Sequence, residues 1–157
     1  MTGPLRHLRR PGSVGRAVLG VLVLALAGCS GAVEVTAPAG ADTPACTAAA
    51  AHWPAAVSGL ARRDTTSTSP AVAAWGDPAV IARCGLDAPA PTTDPCLEVD
   101  GIGWVQVALS DGKRFTTFGT DPAIEVLIPN AYSPEGSLLP VFTAAARALP
   151  STGHHCT

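Results

Sequence analysis

The chain has 157 residues, ten basic and twelve acidic side chains, a formal charge of −2 and only 4% aromatic residues. That is enough chain for one small domain with a core thin in aromatics, and there is no basic patch to neutralise a phosphate backbone, so nucleic acid is excluded as a partner.

Residues 1–28 read as a lipoprotein signal peptide. Arg6, Arg9, Arg10 and Arg16 form a positive leader, and Ala17 to Ala27 is an almost unbroken apolar run. A membrane-spanning helix needs roughly 20 apolar residues. This run is about half that, the length of a signal-peptide core. It ends in Leu26-Ala27-Gly28-Cys29. Two small residues fit a peptidase groove, and the cysteine after the cut offers a thiol for a thioether to diacylglycerol. The four positions resemble the bacterial lipobox, which makes Cys29 the lipidation site and the membrane a partner through N-terminal lipid. One acyl chain binds membrane only marginally, whereas two hold stably. Arg9-Arg10 is followed by Pro11-Gly12-Ser13 rather than apolar residues, which favours general export over the twin-arginine route. Cutting before Cys29 leaves six basic against twelve acidic groups, a formal charge of about −6.

Residues 29–43 are small, polar and contain Pro and Gly; they read as a lipid-anchored flexible tether. Residues 44–157 form a single disulfide-stapled domain. Its cysteines, Cys46, Cys84, Cys96 and Cys156, are even in number, which suits two disulfides in an exported protein. Four cysteines allow three pairings, and the sequence alone does not choose. The expected pairs are Cys84–Cys96, closing a proline-rich loop, and Cys46–Cys156, tying the two ends together.

Thr43-Pro44 is a cap followed by proline in the first helical position, and predicts a helix from Pro44 to about Trp53, broken by Pro54. Ala55 to Leu60 is a second short turn, and residues 64–69 are a Ser/Thr loop. Val72 to Trp75 is ambiguous. Trp75-Gly76-Asp77-Pro78 is a turn, and Val80 to Cys84 a strand. Residues 87–95 form a loop with three prolines. Trp104 to Ser110, Asp111-Gly112 and Lys113 to Phe118 read as a β-hairpin around a two-residue turn. Val105, Val107 and Leu109 share one face. Ala123 to Ile128 is a further strand, with Ile124, Val126 and Ile128 on one face and Glu125 on the other. Ser137 caps a last helix, with Pro140 in its first turn and Leu138, Phe142, Ala145 and Leu149 on one stripe. These elements predict an α+β fold: a two-layer sandwich, an antiparallel β-meander of about four strands with two helices on one face.

Ala73-Ala74-Trp75-Gly76-Asp77-Pro78, Ile81-Ala82-Arg83-Cys84-Gly85, Phe115-Thr116-Thr117-Phe118-Gly119 and Val126-Leu127-Ile128-Pro129 occur in that order, with Arg62-Arg63 upstream and Tyr132 and Pro134 downstream. As a set these motifs resemble the domain of unknown function 3515 family, small lipoproteins or membrane-tethered proteins of actinobacteria. The resemblance covers roughly residues 44–150. One departure is Thr120, where the family pattern leads to a basic residue. The family has no established activity, so the resemblance implies location and domain extent and supplies no catalytic residues.

Arg62, Arg63, Trp75, Asp77 and Arg83 make the candidate binding surface. An Arg fork suits a carboxylate or phosphate, and a tryptophan face suits a sugar. The plainer alternative is a structural Asp–Arg pair beside a turn, with two of Trp53, Trp75 and Trp104 as core anchors. His154-His155-Cys156 are metal-type ligands that would need a further ligand such as His52 or an Asp. A disulfide through Cys156 leaves two solvated histidines instead, and no metal site is assigned. Asp77, Glu98 and Asp100 are the carboxylates open to acid–base work. No Gly-x-Ser-x-Gly is present, Ser58 lacks its setting, and no Gly-rich phosphate loop appears, so neither a catalytic residue nor a cofactor is assigned. The expected function is a non-catalytic binding or accessory protein on the outer side of the cytoplasmic membrane, with an envelope protein or cell-wall component as partner. The alternatives are a secreted hydrolase acting on an envelope polymer and a metal-binding lipoprotein.

Overall fold

A computed structural model describes residues 1–3 and 31–157. The Arg-rich leader and apolar run of the predicted signal peptide, and the predicted lipidation site Cys29, lie outside the described residues.

Thr43 starts the first helix. Its Oγ1 accepts from the Cys46 amide at 3.3 Å, and α1 runs Pro44–Ala50. It ends before the predicted Trp53, because Pro54 disfavours helical backbone in the residue ahead of it. Residues 55–60, predicted as a turn, form part of a hairpin of β1 (Ala56–Val57) and β2 (Leu60–Arg63). Ser58 and Gly59 both hold positive φ, 46° and 83°, the requirement of a tight type I′ turn. β3 (Val72–Trp75) and β4 (Val80–Leu86) follow around the Gly76-Asp77-Pro78 turn. β5 (Cys96–Val99) and β6 (Ile102–Ala108) are joined by Asp100-Gly101, again at positive φ. β7 (Gly112–Phe118) and β8 (Ala123–Pro129) complete the set.

The two-residue Asp-Gly turn thus falls one strand earlier than predicted. At Asp111-Gly112 the reversal takes four residues, closed by the Leu109 amide on the Gly112 carbonyl at 2.9 Å. Gly112 serves a different need: a Cβ there would stand 2.3 Å from the Ile128 carbonyl oxygen on β8.

All pairings are antiparallel, in one eight-stranded sheet of order β1-β2-β3-β4-β8-β7-β6-β5. This corrects the predicted two-layer sandwich of about four strands under two helices. α1 has seven residues and α2 (Thr143–Arg147) has five, too little to make a helical layer. The extra strands escaped the sequence pattern for physical reasons. β1, β2 and β5 are short and largely exposed, and β3 is buried on both faces, so none alternates cleanly. The last predicted helix is also shorter. Glu135–Phe142 is a 3-10 segment with Pro140 inside it, and α-helix begins only at Thr143. Its stripe is nevertheless buried: Leu138, Phe142, Ala145 and Leu149 all belong to the core.

Trp75, Trp104, Phe115, Ile124 and Val126 fill the inner side of the sheet. Phe142 meets Trp75 edge-on at 5.5 Å and Trp53 at 6.5 Å, contacts worth about 0.5–1.5 kcal/mol each beyond burial. The Val105–Val107–Leu109 stripe faces the other way, since Trp104 is the inward residue of β6.

The disulfides are Cys46–Cys84 and Cys96–Cys156, which corrects the expected pairing. Cys84 points inward beneath α1, while Cys96 sits on the edge strand β5 and points outward, so the sheet itself separates them. The bridges close separations of 38 and 60 residues, each worth about 4 kcal/mol in the chain-entropy treatment.

Residues 31–43, read above as a free tether, are laid against the domain. Val33 bridges Thr65, with its amide on the Asp64 carbonyl at 2.8 Å. Arg63 Nη2 donates to the Gly31 carbonyl at 2.9 Å, and the Gly40 amide donates to the Gly85 carbonyl at 3.1 Å. The segment therefore crosses the outer side of β3, which explains why Val72 and Ala74 are buried there. Gly85, at φ +114°, makes this crossing possible: a Cβ would stand 2.4 Å from the Ala41 nitrogen.

Candidate functional site

The five residues predicted as a binding surface do not share a face. Register pairs Arg62 with Trp75 and Arg63 with Ala74, so the two arginines point to opposite sides of the sheet. Trp75 is fully buried and donates Nε1 to the Pro54 carbonyl at 3.0 Å, a core anchor rather than a sugar platform. The Arg62 guanidinium lies 5.1 Å from its ring centre, and burial there lowers the Arg62 pKa. Arg63 donates Nη1 to the Gly76 carbonyl at 2.8 Å and stands 3.9 Å from the exposed Asp77. The Asp–Arg pair expected beside the turn is thus Asp77 with Arg63, without Arg83. Arg83 turns to Glu125 instead.

Glu125 is the charged centre of the outer face. It is 2% exposed, and register places it opposite Arg83 on β4 and Thr116 on β7. Its Oε1 accepts from Arg83 Nε at 2.7 Å, and Oε2 lies 4.0 Å from Arg114 Nε. One carboxylate thus sits between two guanidiniums, leaving a local excess of positive charge. Sequence reading passed over this cluster because a lone Glu on the polar phase of a strand reads as solvent-facing.

The same outer face carries a cleft of about 700 Å³ at its β5–β6 edge. Val105 and Phe118 line it, the loop Pro91–Pro95 forms one wall, and the C-terminal segment Gly153–Thr157 forms the other. Cys96–Cys156 joins the two walls. The Phe118 and His154 rings stack at 5.7 Å. Upstream of the stack, the Thr152 amide donates to the Gly119 carbonyl at 2.9 Å. Gly119 is required there, since a Cβ would stand 2.2 Å from the His154 carbonyl oxygen. Thr120, the departure from the family pattern, turns its hydroxyl inward to Thr117 Oγ1 at 2.7 Å. The cleft combines apolar Val105 and Phe118 with Asp94, His154, His155 and the hydroxyls of Thr92 and Thr93. That mixture suits a ligand with one apolar and one polar side. The proline loop and the paired histidines were the visible signals, but nothing in the sequence brought them together.

The remaining candidates stay apart. Asp77 lies in the β3–β4 turn and Glu98 on edge strand β5, with β4, β8, β7 and β6 between them. Asp100, at φ 50°, accepts from Thr143 Oγ1 at 3.3 Å and holds Arg147 through its carbonyl. Cys156 is consumed by its disulfide, and His52 sits at the far end of α1. Among the described residues no group of three or more His, Cys, Asp or Glu side chains could hold a metal ion.

The structure defines a disulfide-stapled, antiparallel β-sheet domain with a charged outer face and an open cleft on it. A family model, Protein of unknown function (DUF3515), matches residues 16–153. That is most of the chain, and the chain belongs to this family. No curated protein and no solved structure matches it.

Proposed function

We propose that the chain is a lipid-anchored protein of the bacterial cell envelope that works as a non-catalytic binding or accessory module. Removal of residues 1–28 leaves Cys29 to carry the lipid, with the domain on the extracytoplasmic side. Both disulfides support that compartment, since such bridges persist where thiols are not kept reduced.

The observation that carries the binding reading is the cleft beside Phe118. Its volume is in the range of small-ligand sites, roughly 300–1,000 Å³. Val105 and Phe118 offer an apolar floor, and Asp94, His154 and His155 place polar groups around it. An envelope component with hydroxyl or amide groups on one side fits this chemistry. Capture from intact cells with the lipidated chain tests it, comparing the wild type with an Asp94→Ala/His155→Ala variant, both exposed side chains. The expected result is envelope material retained by the wild type and lost at least tenfold, about 1.4 kcal/mol, in the variant. Equal capture by both proteins contradicts the assignment to the cleft.

A further inference from the structure

We infer that the domain lies against the membrane, with the corner formed by Gly31, Arg63 and Asp77 facing the phospholipid headgroups and the cleft held away from them. The inference rests on lipidation at Cys29 and concerns what the docked segment then imposes.

A free tether over residues 29–43 would behave as a coil of roughly 20 Å and leave the domain's orientation open. The structure removes that freedom. Gly31 is already fixed to the domain through the Arg63 guanidinium, which also holds the Gly76 carbonyl beside Asp77. Two residues on, Val33 is bridged to Thr65. Only Ser30 separates Gly31 from Cys29. At no more than about 3.6 Å per residue, the Gly31 corner is therefore within roughly 7 Å of the residue that carries the acyl chains.

Charge does not set this orientation by itself. Arg62 and Arg63 sit at the corner, but Glu34, Asp64 and Asp77 lie on the same stretches of chain. The link from Cys29 to Gly31 is covalent and short, and the contacts that fix Gly31 are hydrogen bonds rather than long-range charge, so the orientation does not depend on salt. The far side is defined by the sheet. β5, which borders the cleft, is six strand positions from β2. At about 4.8 Å per position, the cleft lies up to about 29 Å along the sheet from the anchored corner. At that distance from the anchored corner a partner can reach it.

The test places a photo-crosslinking amino acid at Asp77, whose side chain is 79% exposed, or at Thr92 on the cleft wall. Each full-length protein is irradiated in native membranes and its phospholipid adducts are measured by mass spectrometry. The expected yield is about fivefold higher at Asp77 than at Thr92, and it persists in high salt. Inserting about twenty Gly/Ser residues between Ser30 and Gly31 should bring the ratio to about one, because such a coil spans roughly 25 Å. Equal yields at the two positions in a protein with lipid on Cys29 overturn the orientation. A ratio that survives the insertion overturns its assignment to the short connection. The Cys29→Ala variant keeps the two claims distinguishable: if its form lacking residues 1–28 stays in the membrane, the anchor fails, and the orientation built on it falls as well.

Discussion

A carboxylate buried on the outer side of a sheet loses its hydration, and only its partners can compensate. Glu125 has Arg83 at 2.7 Å and Arg114 at 4.0 Å. Removing one guanidinium strands most of that charge, whereas removing the charge together with its partner does not. Arg83→Ala is expected to lower stability in urea melts by about 2 kcal/mol, discounted from the fully buried case because the arginine is partly solvated. Adding Glu125→Gln should recover part of the loss. A double variant no more stable than Arg83→Ala would show that the pair is not the source. Glu135 gives a second, pH-dependent prediction. A hydrogen bond from its own backbone amide, followed by Lys113 at 3.1 Å, lowers its pKa against the opposing effect of burial. A carboxylate depressed in the folded state stabilises at neutral pH, and that contribution is lost as pH falls through and below the ordinary glutamate range. Glu135→Gln should therefore be less stable than the wild type at pH 7 and show a flatter stability profile below about pH 5. A profile parallel to the wild type would contradict the role given to Lys113. At this scale the sequence disclosed local chemistry: the Thr43 cap is in place. It did not disclose partners brought from other strands, so Glu125 and Glu135 read as ordinary polar residues.

Elements whose signal lies in consecutive residues were legible. The start of α1, the β7–β8 meander and the inward phase of Ile124, Val126 and Ile128 follow from capping and alternation. Elements whose burial depends on distant chain were not. β3 is buried on both faces because residues 31–43 cross it, a fact with no trace in Val72–Trp75 itself. The cysteines show the same limit. Proximity in sequence favoured Cys84–Cys96, but the faces on which those residues lie forbid it, and the edge strand β5 instead reaches the C-terminal segment through Cys96–Cys156. That bridge holds one wall of the cleft, which ties stability to binding. Replacing both cysteines with serine should cost up to about 4 kcal/mol in denaturant melts. It should also weaken capture of the cleft's ligand more than removal of Cys46–Cys84, which staples α1 to β4 away from the cleft. Equal effects of the two deletions on capture would separate the bridge from the site.

For the molecule as a whole, the docked segment changes what the proposed anchor would mean. A lipid on a loose tether only localises a domain; a lipid one residue from a fixed corner also orients it. The family match covers residues 16–153 and leaves the chain's role to be read from the cleft and the proposed anchor. The five-residue surface inferred from charged side chains and a tryptophan around a turn dissolves into a buried tryptophan, a cation against it and two separate ion pairs. The open site lies at the other edge of the sheet, where the chain's last residues return. The central claim is attachment through Cys29, and the most direct test is the intact mass of the protein extracted from cell membranes under non-reducing conditions. The account predicts a chain that begins at Cys29, carries diacylglycerol on its thiol and retains both disulfides. A chain that keeps residues 1–28, or that begins elsewhere with Cys29 unmodified, would contradict it.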